Sequence, residues 1–392
     1  MIYSDFCGKH LSQLGFGTMR LPCLADGSID YAQVEAMTDM AIKAGVNYFD
    51  TAYPYHGGKS EIVISQILKK YPRESYYLAD KYPGHQIADT YNPAEIFEDQ
   101  LKKCGVDYFD FYLLHNVYEN SVDVYLDPQW GIVDYFKEQK RLGRIKHLGF
   151  SAHGSAEVME RFLDAVGEDM EFCQIQLNWM DWTLQEAKQK VELLNLRNIP
   201  IWVMEPLRGG ALCKLSKNDV SRLKALRNNE GIPAWSFRFL QSVSGVAVVL
   251  SGMSDINQMA DNLNTFTESK PLDNDEFAAL LDIAEGMKDS VPCTGCKYCV
   301  DSCPMSLDIP MMMAGYNELT FAATTNSAMK FEFLPEDKKP ANCIGCGACA
   351  SMCPQHIDIP DIVAKLNAEL DKIPKWADIC RERAEAAKRL KQ

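Results

Sequence analysis

Eight of the fourteen cysteines fall into two tight groups whose spacing suits iron chemistry. Cys293, Cys296, Cys299 and Cys303 form a C-x2-C-x2-C-x3-C-P run, and Cys343, Cys346, Cys349 and Cys353 repeat it. Both runs continue alike, to Asp308-Ile309-Pro310 and to Asp358-Ile359-Pro360, so the segment is an internal repeat with a pseudo-symmetric pair of sites. Three thiolates this close can cap three irons of one 4Fe–4S cubane as the loop wraps around it, while the fourth, followed by proline, is directed to the other cluster. By that rule Cys293, Cys296, Cys299 and Cys353 hold one cluster, and Cys343, Cys346, Cys349 and Cys303 hold the second. Gly295, Gly345 and Gly347 permit the close backbone approach that such loops need. The rival reading is a pair of structural zinc sites, but a third cysteine three residues on and a terminal Cys-Pro are not the habit of zinc knuckles. Cys7, Cys23, Cys104, Cys173, Cys213 and Cys380 are scattered singly, which does not read as a disulfide framework.

A second set of reactive types, Asp50, Tyr55, Lys81 and His115, lies in the first third of the chain. Taken singly, Asp50 reads as a turn cap, Tyr55 as surface, Lys81 as a solvated strand end and His115 as a core histidine. Their meaning depends on the elements around them. Apolar runs at 14–19, 48–52, 76–81, 109–115, 147–152, 172–178, 199–205 and 245–252 predict strands. Amphipathic stretches at 31–44, 60–70, 93–104, 155–166 and 184–194 predict helices between them. This alternation implies a parallel sheet with helical crossovers, and eight units in roughly 250 residues is the size of a (β/α)8 TIM barrel. An open doubly wound sheet would want a third glycine in its first turn, which Gly15-Phe16-Gly17-Thr18-Met19-Arg20 lacks. In a barrel, chemistry sits at the C-terminal strand ends. All four residues fall there or just beyond. Met1–His10 is expected to form a hairpin closing the barrel floor.

At these residues the chain resembles the aldo-keto reductase family. Leu14-Gly-Phe-Gly-Thr-Met19, Phe49-Asp50-Thr-Ala-Tyr-Pro-Tyr55 with Ser60-Glu61, Lys81, and Leu113-Leu114-His115 match the family's signatures in order and spacing. The resemblance covers residues 1–285. It implies a barrel that reduces a small-molecule carbonyl with NADPH or NADH, or oxidises the alcohol in reverse. On this pattern Tyr55 is the proton donor, and the Lys81 cation lowers its pKa. Asp50 holds Lys81, and His115 orients the carbonyl oxygen. Ser151 and Gln174 match the contacts to the nicotinamide carboxamide. Glu205-Pro206-Leu207-Arg208-Gly209-Gly210 resembles the pyrophosphate loop, so Pro206, Leu207 and Gly209 are cofactor-binding. Ser251, Gly252, Gln258 and Asn262 resemble the segment at the adenosine end. The chain departs from the family in Ala152 after Ser151, which loses one carboxamide contact, and in Met204 where an aromatic residue stacks on the nicotinamide. Gly252 and Gln258 stand where many members hold the 2′-phosphate with basic residues. Trp130, Trp179 and Trp182 fall in loops after strands, as pocket lining or as packing.

Residues 286–392 form the expected second domain, smaller, mainly α-helical and carrying the iron–sulfur motifs. About forty residues separate the motifs, with a helical pattern at 309–321, and this part resembles the α-helical ferredoxin domains of electron-transfer enzymes. Helices at 362–370 and 375–391 close the chain. A nicotinamide passes a hydride and a 4Fe–4S cluster a single electron. A flavin normally bridges the two modes; the sequence shows no convincing flavin site and leaves one open. The clusters are therefore expected to serve an external electron carrier or a redox partner protein. The alternative is a catalytically altered barrel acting as a binding scaffold in an electron-transfer complex. A net charge of −14 argues against a nucleic-acid partner. The absence of any apolar run of about 18 residues argues against membrane insertion, and a first segment without a secretory pattern points to the cytoplasm.

Overall fold

The computed structural model describes residues 1–86, 88–213, 215–287, 291, 293, 299–321, 323–353 and 357–390. Two short strands, β1 (Tyr3–Phe6) and β2 (Lys9–Ser12), pair antiparallel as a hairpin. Eight parallel strands follow: β3 (Leu14–Gly17), β4 (Tyr48–Asp50), β5 (Tyr77–Tyr82), β6 (Phe109–Val117), β7 (Ile145–Ala152), β8 (Cys173–Gln176), β9 (Ile201–Met204) and β10 (Val246–Ser251). They close in the order β10-β3-β4-β5-β6-β7-β8-β9, an α/β barrel as the alternation predicts. Their near-continuous burial explains why the sequence reads there as unbroken apolar runs, since both faces of each strand are covered.

The hairpin brings Phe6 under the barrel. Its ring centroid lies 5.0 Å from that of His147, 5.2 Å from Trp202, 5.8 Å from Phe111 and 6.3 Å from Phe172. Aromatic packing of this kind closes the floor and leaves the opposite end for loops.

Helices fix the strand ends that matter. The helix Pro93–Cys104 starts with Asn92 accepting from the Glu95 N–H and Pro93 in the first turn, and it stops at left-handed Gly105. Phe97, Leu101 and Cys104 bury its inner face, and Gln100 on the same face donates to the Lys81 carbonyl at 3.0 Å. The Tyr125 hydroxyl sits 2.7 Å from the His115 carbonyl and 3.2 Å from that of Tyr82, tying the ends of β5 and β6 together.

The chain divides into two compact units, Met1–Ala279 with Arg383–Gln392, and Leu280–Glu382. This grouping divides the chain within the helix Asn274–Met287, which also contains residue 285, and counts the chain's last residues with the barrel. In the second unit the helices Ile309–Phe321 and Ile359–Leu370 bury Ile309, Met312, Met313, Val363 and Leu366. The repeated Asp-Ile-Pro triplets are their start signals: Asp308 accepts from the Met311 N–H at 3.2 Å, Asp358 from the Asp361 N–H at 3.3 Å, with proline in the first turn. That helix thus begins at Ile359 rather than at 362. The pattern at 184–194 resolves into Asp181–Leu184 and Ala187–Leu196, separated where Glu186 adopts φ 52°. Among the described residues, no helix is long and apolar enough to cross a membrane.

Phe6→Ala should destabilise the barrel by about 3 kcal/mol and lower its thermal midpoint by roughly 6–12 °C. Calorimetry of the full chain checks this, and an unmoved midpoint would show that the hairpin does not support the barrel.

Candidate active site and metal centre

Asp50 closes β4 and Lys81 lies on β5, whose register sets Asp50 opposite Ala79. Both side chains are buried, with Lys81 Nζ 2.5 Å from Asp50 Oδ1 and 2.7 Å from the Thr51 carbonyl. Burial works to lower the Lys81 pKa, but the Asp50 and Tyr55 side chains overturn it and hold the ammonium above the ordinary lysine value. Burial likewise pushes Asp50 up, and Lys81 works against that shift. The chain beyond Asp50 is fastened by the Ser60 hydroxyl, 2.9 Å from Thr51 Oγ1 and 2.7 Å from Thr18 Oγ1.

Tyr55 opens a short turn, Tyr55–Gly58, in which His56 (φ 52°) and Gly57 (φ 64°) are left-handed. That turn lays the half-buried Tyr55 beside Lys81, whose Nζ is 5.0 Å from the ring centroid. His115 on β6 meets the Tyr55 ring edge-on at 6.0 Å. The four residues expected to act together are thus in one place. One expectation changes. Burial raises the Tyr55 pKa, and Lys81 offsets only part of the rise, so the phenol is a protonated acid throughout the neutral range. His115 is held well below the ordinary histidine value, first by burial and then by nearby positive groups, so it is a neutral imidazole. Its Nδ1 is buried without a hydrogen bond.

Ser151 and Gln174 stand opposite one another on β7 and β8. The Ser151 hydroxyl accepts from the Asn116 N–H at 2.8 Å, whereas Gln174 Oε1 is buried with no hydrogen-bond partner. A buried amide oxygen left this way is costly unless a ligand meets it, which fits a carboxamide donor. Met204 ends β9, and Pro206, Leu207 and Gly209 follow in the next loop, with Gly209 at φ 63°. That loop is anchored from beneath by Asn178 Nδ2 donating to the Glu205 carbonyl at 3.0 Å and by the Arg208–Asp181 ion pair at 3.0 Å. Ser251 ends β10, and its hydroxyl accepts from Asn262 Nδ2 at 2.9 Å. Gln258 is spent locally, its Nε2 on Asp255 and its Oε1 on the Ser254 N–H.

Sequence reasoning missed Arg20. Its guanidinium pairs with Glu205 at 2.9 Å, a side chain added at Gly209 would lie 3.1 Å from it, and one at Gly252 would lie 3.2 Å from Arg20 Cβ. Arg20 therefore puts a cation between the loops of Gly209 and Gly252, where only its place directly after the Gly-Phe-Gly-Thr-Met run hinted at a role. Of the tryptophans, Trp179 is buried and donates to Ser236, Trp182 packs on Phe239 and Phe277, and Trp130 meets Tyr91. They serve packing.

In the second unit, Cys303, Cys343, Cys346 and Cys349 line one pocket, partly open to solvent, with Ile309, Ile344 and Val363 among its walls. This is the crossed set that the spacing predicts, with Cys303 joining the thiols of the other repeat. Cys293, Cys299 and Cys353 pack against the same core, and Cys296 lies outside the described residues. Gly345 (φ 67°) and Gly347 (φ 75°) supply the left-handed turns between the cysteines.

Comparison with known proteins agrees with this picture. Residues 13–285 match the sequence model of the aldo/keto reductase family, and residues 292–357 match that of a 4Fe-4S dicluster domain. An NADH-specific methylglyoxal reductase of Escherichia coli is 27% identical over 52% of this chain, which spans 65% of that relative's length. L-galactose dehydrogenase of Arabidopsis thaliana is 22% identical over 69% of this chain and 88% of its own. Among solved structures, the holo form of an aldo-keto reductase from Bacillus halodurans superposes with a TM-score of 0.59 at 22% identity, covering 72% of this chain and 96% of that one. One from Klebsiella pneumoniae in complex with NADPH gives 0.59 at 20% identity, covering 72% and 96%. The chain belongs to the aldo/keto reductase family, with a 4Fe-4S dicluster domain following its barrel.

Proposed function

We propose that the barrel is a nicotinamide-dependent carbonyl reductase, working in reverse as an alcohol dehydrogenase, and that the second unit carries two 4Fe–4S clusters for electron transfer. The observation that supports it most is the Lys81 ammonium, buried against Asp50 with its Nζ 5.0 Å from the centroid of the Tyr55 ring. A bound nicotinamide supplies a hydride to the carbonyl carbon. Tyr55 then protonates the carbonyl oxygen, and Lys81 stabilises the phenolate that remains. Asp50 keeps Lys81 charged inside the barrel. His115, being neutral, donates an N–H toward the oxygen without placing a competing positive charge beside Lys81.

Gln174 and Ser151 would hold the carboxamide, and Arg20 would meet the cofactor's phosphates. Both nicotinamides occur among the similar proteins by name, NADH in the Escherichia coli relative and NADPH in the Klebsiella pneumoniae complex. One cluster would use Cys303, Cys343, Cys346 and Cys349, and the other Cys293, Cys296, Cys299 and Cys353. The clusters move electrons singly, so their exchange runs through an external carrier or a redox partner, with a flavin as the natural bridge to the hydride. The scaffold reading keeps two observations in its favour, Ala152 beside Ser151 and Met204 in place of an aromatic residue, and the following test decides between them.

NADPH or NADH oxidation with small aldehydes should fall by about 10²–10⁴-fold in Tyr55→Phe, with iron content unchanged. Full activity in the variant, or none in the parent chain, would overturn the reductase reading. The rate of reduction should stay level from about pH 7 to pH 10 and fall only above that, because the acid form of Tyr55 is required and its pKa is raised. A limb near pH 7 would contradict the neutral His115. Cys303→Ala and Cys353→Ala should each remove one cluster, counted as iron and sulfide and seen as loss of one paramagnetic signal. Retention of both clusters in either variant would refute the crossed assignment.

A further inference from the structure

The floor of the barrel gathers a second set of ligand-type side chains, at the end opposite Tyr55. Cys7 and Gly8 form the turn between β1 and β2, and Phe6, directly before them, is the ring packed under the barrel. His147 lies near the start of β7, meets Phe6 edge-on at 5.0 Å and stacks on Phe111 at 5.1 Å, so its buried ring is held in one orientation. Glu171 stands two residues before β8. The packing of Phe6 thus brings Cys7 to the starts of β7 and β8.

Sulfur, nitrogen and oxygen donors meet there. His147 Nδ1 and Glu171 Oε1 are 3.1 Å apart. Cys7 Sγ completes a set of one donor atom per residue, all within 4.8 Å of one another. Zinc bonds of about 2.0–2.3 Å put neighbouring ligands of a tetrahedral ion roughly 3.3–3.6 Å apart. The imidazole–carboxylate spacing is already near that range, and the exposed Cys7 side chain has to close by only about 1 Å.

The carboxylate is also oriented for the task. Its Oε2 accepts from the Leu148 N–H at 3.1 Å and pairs with Lys140 at 2.7 Å, which leaves Oε1 turned to His147. Outer contacts of this kind fix a metal ligand in place. Lys140 opposes the charge of a bound cation, but the Cys7 thiolate and the Glu171 carboxylate together outweigh it. Mixed sulfur, nitrogen and oxygen donors suit zinc, whereas magnesium and calcium take oxygen ligands.

We propose that Cys7, His147 and Glu171 bind one zinc ion, with water as the fourth ligand, and that the ion clamps the hairpin turn to the starts of β7 and β8. The Cys7 thiol passes its proton to solvent as the sulfur–zinc bond forms, and no redox change accompanies it. The three residues lie outside both cysteine motifs and away from the strand ends that carry Asp50, Lys81 and His115, so the site does not depend on the reductase reading.

The test titrates the full cluster-loaded chain with zinc sulfate after dialysis against a weak chelator. One zinc per chain should bind, and X-ray absorption at the zinc edge should show one sulfur at about 2.3 Å and three nitrogen or oxygen neighbours at about 2.0–2.1 Å. Saturation should raise the thermal midpoint of the barrel by about 5 °C or more. Cys7→Gly suits the turn, because Cys7 already has φ 48°, and so keeps the fold. It should remove the sulfur from the spectrum and weaken binding by about tenfold or more, and Glu171→Gln should weaken binding to a similar degree. A four-sulfur spectrum places the zinc on the cluster cysteines and overturns the inference. Absence of binding to the parent chain, or an affinity unchanged in Cys7→Gly, overturns it as well and leaves His147 and Glu171 with a hydrogen bond alone. Binding through one sulfur with an unmoved midpoint overturns the clamp.

Discussion

A lysine with no exposed surface can stay charged only if the protein answers it, and Asp50 does so from the neighbouring strand at 2.5 Å. Taking two such charges out of water costs several kcal/mol per ion before their attraction is counted. The pair therefore needs a closed barrel that fixes the register of β4 and β5, the Thr51 carbonyl as a further acceptor, and a helix that holds the end of β5 through Gln100. What this arrangement yields is a permanent cation at the hydroxyl of Tyr55. The same burial that isolates the cation also raises the phenol's pKa, so Tyr55 keeps its proton at neutral pH.

The neutrality of the surrounding imidazoles follows from the same constraint. With Lys81 fixed as an ammonium and His115 buried, a protonated His115 would add a second positive charge at close range. Burial prevents this at His115, His85 and His153 alike. The second unit depends on a different device. Its apolar core incorporates the cysteines themselves, with Cys299 and Cys349 buried among Leu307, Met312, Met313 and Leu366. In a unit built this way a cluster would share the interior with the core, so that binding it would also stabilise the fold.

Much of this was legible in the sequence, for definite reasons. Strands covered on both faces write themselves as apolar runs, and cluster loops are marked by fixed cysteine spacing with glycines and a closing proline. The Asp-Ile-Pro triplets were visible as a repeat, though not as helix caps. The helix Ile232–Gln241 escaped notice because it is buried nearly all round, Trp235-Ser236-Phe237-Arg238-Phe239-Leu240, and so has no polar stripe to reveal its period. The sign of the Lys81 effect on Tyr55 could be read from charge alone, but the larger effect of burial could not. Arg20 shows the other limit. It reaches its place through an ion pair with Glu205, far away in sequence, which no spacing rule records.

The central claim is that the barrel binds a nicotinamide beside a charged Lys81 and an acidic Tyr55 while iron–sulfur clusters reside in the same chain. Anaerobic titration of the cluster-loaded protein with NADPH and with NADH, following nicotinamide fluorescence together with the visible and paramagnetic cluster signals, tests it most directly. The account predicts saturable binding of at least one nicotinamide, and oxidation of the bound cofactor on addition of a carbonyl compound. Failure of both nicotinamides to bind would contradict it.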